Sequence, residues 1–201
     1  KKIFFKSIEK ILSFKTNIFI TINNEDYNYA KFNLKKKKSL CYKINGVGLN
    51  LSRNLKNKIK YKKEIKKILV IAAYKKEKGY LEILKVAEML KNYKIQIFCF
   101  GSGEYKKFNK IKIKKKLNNI SFNYFDKNLI NKINNYDILL HLSKREGLPV
   151  SLMQSLSKGL PVICYNIRGN NDLIEDNFNG YFVKSYKEVP GRILYLKLEN
   201  N

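Results

Sequence analysis

Arginine is scarce in this chain of 201 residues, confined to Arg53, Arg145, Arg168 and Arg192. That scarcity argues against specific reading of nucleic acid, because bidentate contacts to phosphates and base edges use the planar guanidinium fork, which lysine lacks. The cysteines Cys41, Cys99 and Cys164 are odd in number and lack metal-like spacing, and two of them sit in apolar strand-like runs. They read as buried free thiols of a reducing cytoplasm. No apolar run approaches the length of a membrane span, and the opening Lys1-Lys-Ile-Phe-Phe-Lys6 is interrupted too soon for a signal-peptide core. The chain therefore reads as cytoplasmic.

Lysine is what the chain has in excess, giving a net charge of +26. A charge of that size raises nucleic acid or an anionic membrane as partner. Lysine, isoleucine and asparagine are abundant together, however, which reads as a compositional bias acting on solvated positions. The runs Lys35 to Lys38 and Lys114 to Lys116 remain as places for peripheral contact with an anionic membrane surface, at about 1 kcal/mol per residue.

The length suffices for one buried core, or for one domain plus a fragment. Residues 2 to 14 carry Ile3, Phe4, Ile8, Ile11 and Leu12 at helical spacing, and Asn17 to Ile22 reads as a strand. Asn23 or Asn24 is placed to cap a helix through Tyr29, and Leu40 to Ile44 reads as a strand ending in Asn45-Gly46-Val47-Gly48. A lysine-rich connection with a short helix is expected over 49–66, with a domain boundary near residue 60. From Lys67 strand and helix alternate, the pattern of a parallel α/β sheet. Strands are expected at Ile68–Ala72, Ile95–Phe100, Ile120–Phe125, Ile138–Leu142 and Val162–Tyr165, with a sixth at Tyr181–Val183. A helix from about Gly79 to Lys91 aligns Tyr80, Ile83, Leu84, Ala87 and Leu90 on one face. Pro190-Gly191 is expected to interrupt any final helix.

Ser143 to Gly159 is the most informative stretch. It follows the run Ile138–Leu142 and leads into Val162–Tyr165, so a helix is delivered with its N-terminus at the carboxyl edge of the sheet. Such a helix start, expected near Gly147 with Pro149 in its first turn, collects anions through free N–H groups and the macrodipole. The segment resembles the donor-site signature of glycosyltransferase family 4. Ser143, Glu146, Gly147, Leu148, Pro149, Gly159, Pro161, Val162, Arg168, Gly169, Asn170, Leu173, Ile174, Asn179 and Gly180 match it in register. The second acid of the family's glutamate pair falls on Gln154.

The resemblance implies a GT-B fold of two Rossmann-like halves, the acceptor in the first and a nucleotide-sugar donor in the second. This chain is then read as an α/β protein, with residues 1–60 the remnant of an acceptor-side domain plus linker and residues 61–201 the Rossmann-like donor domain. The chain is too short for a whole enzyme of that kind, so the protein is expected to be longer or its gene truncated. The resemblance further assigns Glu146 to hydroxyls of the donor sugar, Gln154 to the ribose, and Lys78, which precedes Gly79, to the donor diphosphate. The family's companion arginine falls on Ala73. Arg145 and Arg168 are candidates to compensate, and the helix start at Gly147, Leu148 and Pro149 supplies N–H groups. The turn Gly101-Ser102-Gly103 lacks the third glycine of a dinucleotide fingerprint, and is read as a close approach beside the donor nucleotide. His141, inside an apolar strand, reads as a packed core residue rather than a catalytic base. No Asp-x-Asp occurs, so no metal or other cofactor is expected.

The leading expectation is a retaining transferase moving a sugar from a nucleotide diphosphate to a glycan or lipid-linked acceptor in bacterial surface polysaccharide assembly. Two others stand beside it: a non-catalytic nucleotide-sugar-binding remnant, and a basic domain that binds nucleic acid or a membrane surface.

Overall fold

A computed structural model of the chain describes residues 2–46, 48–49 and 65–198. The chain divides into two compact units, Lys1–Gly48 and Leu49–Asn201. The short helix expected in the lysine-rich connection, and the boundary expected near residue 60, lie outside the described residues.

The smaller unit runs helix α1 (Lys2–Leu12), strand β1 (Ile18–Thr21), helix α2 (Asn24–Tyr29) and strand β2 (Leu40–Lys43). Asn23 starts α2 as a two-way cap. Its Oδ1 accepts the Asp26 N–H at 2.8 Å while its Nδ2 donates to the Asp26 carboxylate at 2.8 Å, so an otherwise orphan helix donor is satisfied. A wider turn over Ala30–Leu34 extends α2 and buries Ala30 and Leu34. β1 and β2 then pair in parallel, Ile18 opposite Leu40, as strands joined by a helical crossover do. Ile18, Ile20, Leu40 and Tyr42 stay exposed on these strands.

In the larger unit strand and helix alternate as the sequence predicts: β3 (Lys67–Ile71), α3 (Tyr80–Met89), β4 (Gln96–Gly101), α4 (Lys106–Lys114), β5 (Ile120–Tyr124), α5 (Leu129–Lys132), β6 (Ile138–His141), α6 (Val150–Ser157), β7 (Val162–Tyr165), β8 (Gly180–Val183) and α7 (Val189–Leu198). The six strands make one parallel sheet in the order β5-β4-β3-β6-β7-β8. Both faces are covered, which is why the strands read as unbroken apolar runs. On one face Ile68, Val70, Ile97, Cys99, Ile138 and Leu140 pack against Tyr80, Ile83, Leu84 and Ala87 of α3, Phe108 of α4 and Ile193 of α7. On the other, Leu69, Leu139, Val162 and Cys164 pack against Leu129 of α5 and Leu152 of α6.

Two boundaries differ from expectation. α6 begins at Val150, not near Gly147, and Pro149 precedes it as cap with φ −73° and ψ 118°. A proline disfavours helical geometry in the residue before it, so the helix cannot extend back through Leu148. Pro190-Gly191 does not interrupt α7, which contains both residues. Pro190 falls in the first turn, where a missing N–H costs no intrahelical bond.

The loop after β3 is tied into the sheet by Tyr74, which is buried among Tyr80, Tyr105 and Phe122. Its hydroxyl accepts the Asn123 N–H at 3.0 Å and lies 3.0 Å from the Cys99 carbonyl, bridging β5 and β4. Tyr74→Phe leaves those backbone groups without this partner in an apolar setting and should destabilise the unit by about 1–3 kcal/mol. Urea denaturation followed by circular dichroism measures it; an unchanged midpoint would mean that the Asn123 and Cys99 backbone groups find other partners.

Candidate functional site

Numbered within the larger unit, the sheet order is 3-2-1-4-5-6, and the direction of winding reverses between β3 and β6. In such open sheets the crevice outside the strand ends at that reversal is where ligands sit. The loops that flank it are 72–79, after β3, and 142–149, after β6.

Glycine lets these loops touch. Gly79 has φ +78°, and a β-carbon there would lie 2.0 Å from the Leu142 carbonyl oxygen, so neither the conformation nor the space admits a side chain. The Lys144 N–H donates to the Glu77 carbonyl at 2.9 Å, and the Lys144 ammonium lies 2.6 Å from Glu82 of α3. A third loop, after β7, closes from the other side. Gly169 has φ +81° and its β-carbon would meet the Gly147 carbonyl oxygen at 2.2 Å, while Arg168 Nε donates to the Glu146 carbonyl at 3.1 Å.

Glu146 is therefore held by backbone on two sides, and its side chain is held by charge. The Lys78 ammonium donates to Oε1 at 2.7 Å, and the carboxylate is only 11% exposed against 23% for the lysine. His141, at the end of β6, brings Nε2 to 3.2 Å from the same Oε1, although the ring N–H is not well aligned for a hydrogen bond. Burial pushes the Glu146 carboxyl up. The His141 ring, the Lys78 ammonium and the Ser143 hydroxyl overcome it and bring the carboxyl down to about 2. The group is an anion at neutral pH, able to accept hydrogen bonds and not to donate one.

The remaining residues singled out in the sequence sit around this pair in different ways. Gly147 and Leu148 form the bend before α6, and buried Pro149 caps that helix. Gly101 ends β4, with the Ala72 carbonyl against its α-carbon, and Gly103 follows in the left-handed region at φ +91°. The Tyr74 N–H donates to the Ser102 carbonyl at 2.8 Å, so the 101–103 turn is joined to the loop after β3. Gln154 is half-buried in the second turn of α6, and its side chain makes no hydrogen bond among the described residues. Because α6 starts later than expected, Gln154 shares a helical face with Val150 but not with Gly147. Arg145 is exposed, and its guanidinium makes no ion pair among the described residues. Ala73 is half-buried and turns the chain through a Lys75 N–H to Ala73 carbonyl bond of 2.7 Å.

Sequence reasoning placed His141 in the core, and it is 4% exposed. What that reasoning missed is the proximity to Glu146. The available signal was position: a polar residue at the last place of a central strand lies at the rim of the sheet, where the functional loops begin.

A family profile described as glycosyl transferases group 1 matches residues 52–197. EpsD of Bacillus subtilis (strain 168), provisionally named a glycosyltransferase, is 26% identical over 192 residues, covering 88% of this chain and 50% of that protein. A 41.2 kDa uncharacterized protein of the Klebsiella pneumoniae cps region is 28% identical over 192 residues, covering 91% and 52%. The chain spans about half the length of these relatives. Among solved structures, a Staphylococcus aureus TarM mutant in complex with fondaparinux, α-GlcNAc-glycerol and UDP shares the fold at a TM-score of 0.79 and 21% identity, over 97% of this chain and 39% of that one.

Two outcomes follow from this geometry. Gly79→Ala forces a left-handed alanine against a carbonyl and should cost about 2–3 kcal/mol in denaturant unfolding; a smaller loss would show that the loop can retreat from Leu142. Glu146 has a folded pKa of about 2, below its unfolded value. The stability it contributes is therefore complete above the unfolded pKa and disappears as pH falls toward the folded one, a window from about 5 down to about 2. In Glu146→Gln the unfolding midpoint should fall less steeply across that window than in the unaltered protein. Parallel curves would place the carboxylate outside the buried network.

Proposed function

The chain belongs to the glycosyl transferases of group 1, and on that footing we propose that its larger unit binds the nucleotide-sugar donor of a retaining glycosyltransferase. The observation that carries this reading is the partly buried Lys78–Glu146 pair at the winding reversal of a parallel sheet. It puts a cation and an acceptor side by side at the position where a diphosphate and the sugar attached to it need opposite partners.

In this reading Glu146 accepts hydrogen bonds from hydroxyls of the donor sugar. Lys78 spends one N–H on Oε1 and offers its others to the diphosphate. As the glycosidic bond breaks, negative charge grows on the departing diphosphate, and a cation fixed beforehand stabilises that charge without reorganising. N–H groups at the start of α6 and the guanidinium groups of Arg145 and Arg168 add to the positive field, in place of the family arginine that falls on Ala73. Gln154 takes the ribose, and the 101–103 turn lies alongside the nucleotide. No metal is assigned to this chemistry.

The smaller unit is read as part of an acceptor-side domain. The exposed Ile18, Ile20, Leu40 and Tyr42 on its strands support this, since a closed core would cover them. The acceptor is a glycan or lipid-linked sugar of surface polysaccharide assembly, met in the cytoplasm at the inner membrane face. Among the described residues no helix is long and apolar enough to cross a membrane. The exposed Lys35, Lys37, Lys38 and Lys114 to Lys116 favour peripheral contact with anionic headgroups. Ala73 and Gln154 favour a second reading, a unit that binds nucleotide sugar without turning it over.

Calorimetric titration with UDP, UDP-glucose and UDP-N-acetylglucosamine tests the donor site. Glu146→Ala should weaken a nucleotide sugar about tenfold or more, the equivalent of about 1.4 kcal/mol, while leaving free UDP unchanged. Equal losses for both would overturn the role given to Glu146. Transfer of labelled sugar to a membrane extract by this chain should be far slower than by a protein that also carries a full acceptor half. Positioning of the acceptor supplies roughly 7–11 kcal/mol of such a barrier. Donor binding with no transfer even by the extended protein would favour the non-catalytic reading.

A further inference from the structure

We propose that His141 is the positioning residue of Glu146: its ring, built into the central strand β6, holds Oε1 from the sheet side so that Oε2 is presented to the donor sugar. The inference rests on the donor-site reading for its ligand, but its structural half stands on the protein alone.

Two of the groups that hold the carboxylate, one from the loop after β3 and one from β6, converge on one oxygen. Lys78 Nζ reaches Oε1 at 2.7 Å and His141 Nε2 at 3.2 Å. Oε1 is thereby the anchored oxygen, and Oε2 has neither contact. The two donors are unlike in rigidity. Lys78 rides on a four-carbon stem from a loop and is 23% exposed. His141 is 4% exposed and fixed by the parallel ladders of its strand, where it stands opposite Cys164 of β7. A flexible ammonium that must also serve a diphosphate cannot by itself fix the torsion of a carboxylate. A ring set in a β-ladder can.

The buried Nε2 has no hydrogen bond of good geometry among the described residues. A buried ring nitrogen without a partner is destabilising, and Oε1 is the acceptor beside it. A small rotation of the carboxylate about its last torsion converts the contact into a bond, with the ring in the tautomer that carries hydrogen on Nε2. The other groups facing Glu146 are the Ser143 hydroxyl, from its own loop, and Arg168 from the loop after β7, whose Nε is spent on the Glu146 carbonyl.

The test compares His141→Leu, which keeps an apolar core residue and removes the donor, with His141→Gln, whose amide nitrogen reaches the place of Nε2. Carbon-13 NMR of the Glu146 carboxyl, assigned by its loss in Glu146→Gln, reads the coupling without any ligand. Its titration should move up by about one unit or more in His141→Leu and return toward the unaltered value in His141→Gln. A titration that does not move in His141→Leu overturns the proposal. His141→Phe is the second apolar variant should leucine fail to fold. Titration with UDP-glucose and UDP-N-acetylglucosamine against UDP reads the consequence: His141→Leu should lose about tenfold for a nucleotide sugar, nothing for UDP, and His141→Gln should recover most of it. If the NMR coupling appears and none of the three nucleotides binds the unaltered protein, the positioning stands and the donor reading fails. If nucleotide sugar binds equally well to His141→Leu, the donor reading stands and the positioning role fails.

Discussion

The close approach of Gly79 to the Leu142 carbonyl is the constraint on which the candidate site depends. Two loops that start from neighbouring parallel strands would ordinarily be kept apart by side chains. Removing one β-carbon allows backbone to meet backbone, and the N–H of Lys144 then reaches the carbonyl of Glu77. Lys78 follows because it precedes that glycine, and Glu146 follows because it lies just beyond the strand end being approached. Gly169 repeats the device from the far side against Gly147. The ion pair is thus a consequence of backbone geometry. A carboxylate and an ammonium on mobile loops would gain little, since exposed pairs contribute at most about 1 kcal/mol.

Burial gives this pair a different character from the many charges on the surface. A carboxylate taken from water without partners would rise in pKa and become neutral. Here the desolvation is overcome by His141, Lys78 and Ser143, and the carboxyl is depressed to about 2. The site therefore keeps a fixed negative acceptor beside a fixed positive donor in a setting poor in water. Fields in such a setting are much stronger than the same charges would produce in solvent. The net charge of +26 acts differently. It draws anions toward the protein in general, and it is screened within about 10 Å at ordinary ionic strength.

Most of the larger unit was legible in the sequence because its sheet is covered on both faces. Fully buried strands must be continuous apolar runs, and all six were placed to within a residue or two of their observed ends, including the short β8. The cap of α2 was readable as Asn23 or Asn24, because few residues can satisfy a helix start, and Asn23 is the one that does. Two things escaped. The start of α6 was put near Gly147, yet the helix begins at Val150, because Pro149 disfavours helical geometry in the residue before it. His141 was read by its neighbours, all apolar, and apolar context says only that a residue is buried. Its contact with Glu146 depends on the loop folding back over the strand end, and no periodicity encodes that. The backbone bond from Lys144 to Glu77 was invisible for the same reason: any residue but proline supplies an N–H.

Lysine content is where sequence and structure part most clearly. In a chain so rich in lysine, the identity of residue 78 carries little information, because a lysine at a random surface position is the ordinary case. Exposure separates the cases. Lys106 pairs with Glu104 at 3.9 Å with both side chains about four-fifths in water, whereas Lys78 reaches Glu146 at 2.7 Å with its side chain 23% exposed. The first pair is replaceable by any solvated residue. The second holds an ammonium partly out of water, at a cost that a fixed anionic partner offsets. A compositional drift toward lysine can fill solvated positions freely, but it cannot create the glycine at 79, the carboxylate at 146 and the backbone contact between their loops. It is the coincidence of these three with Lys78 that distinguishes this lysine from the rest.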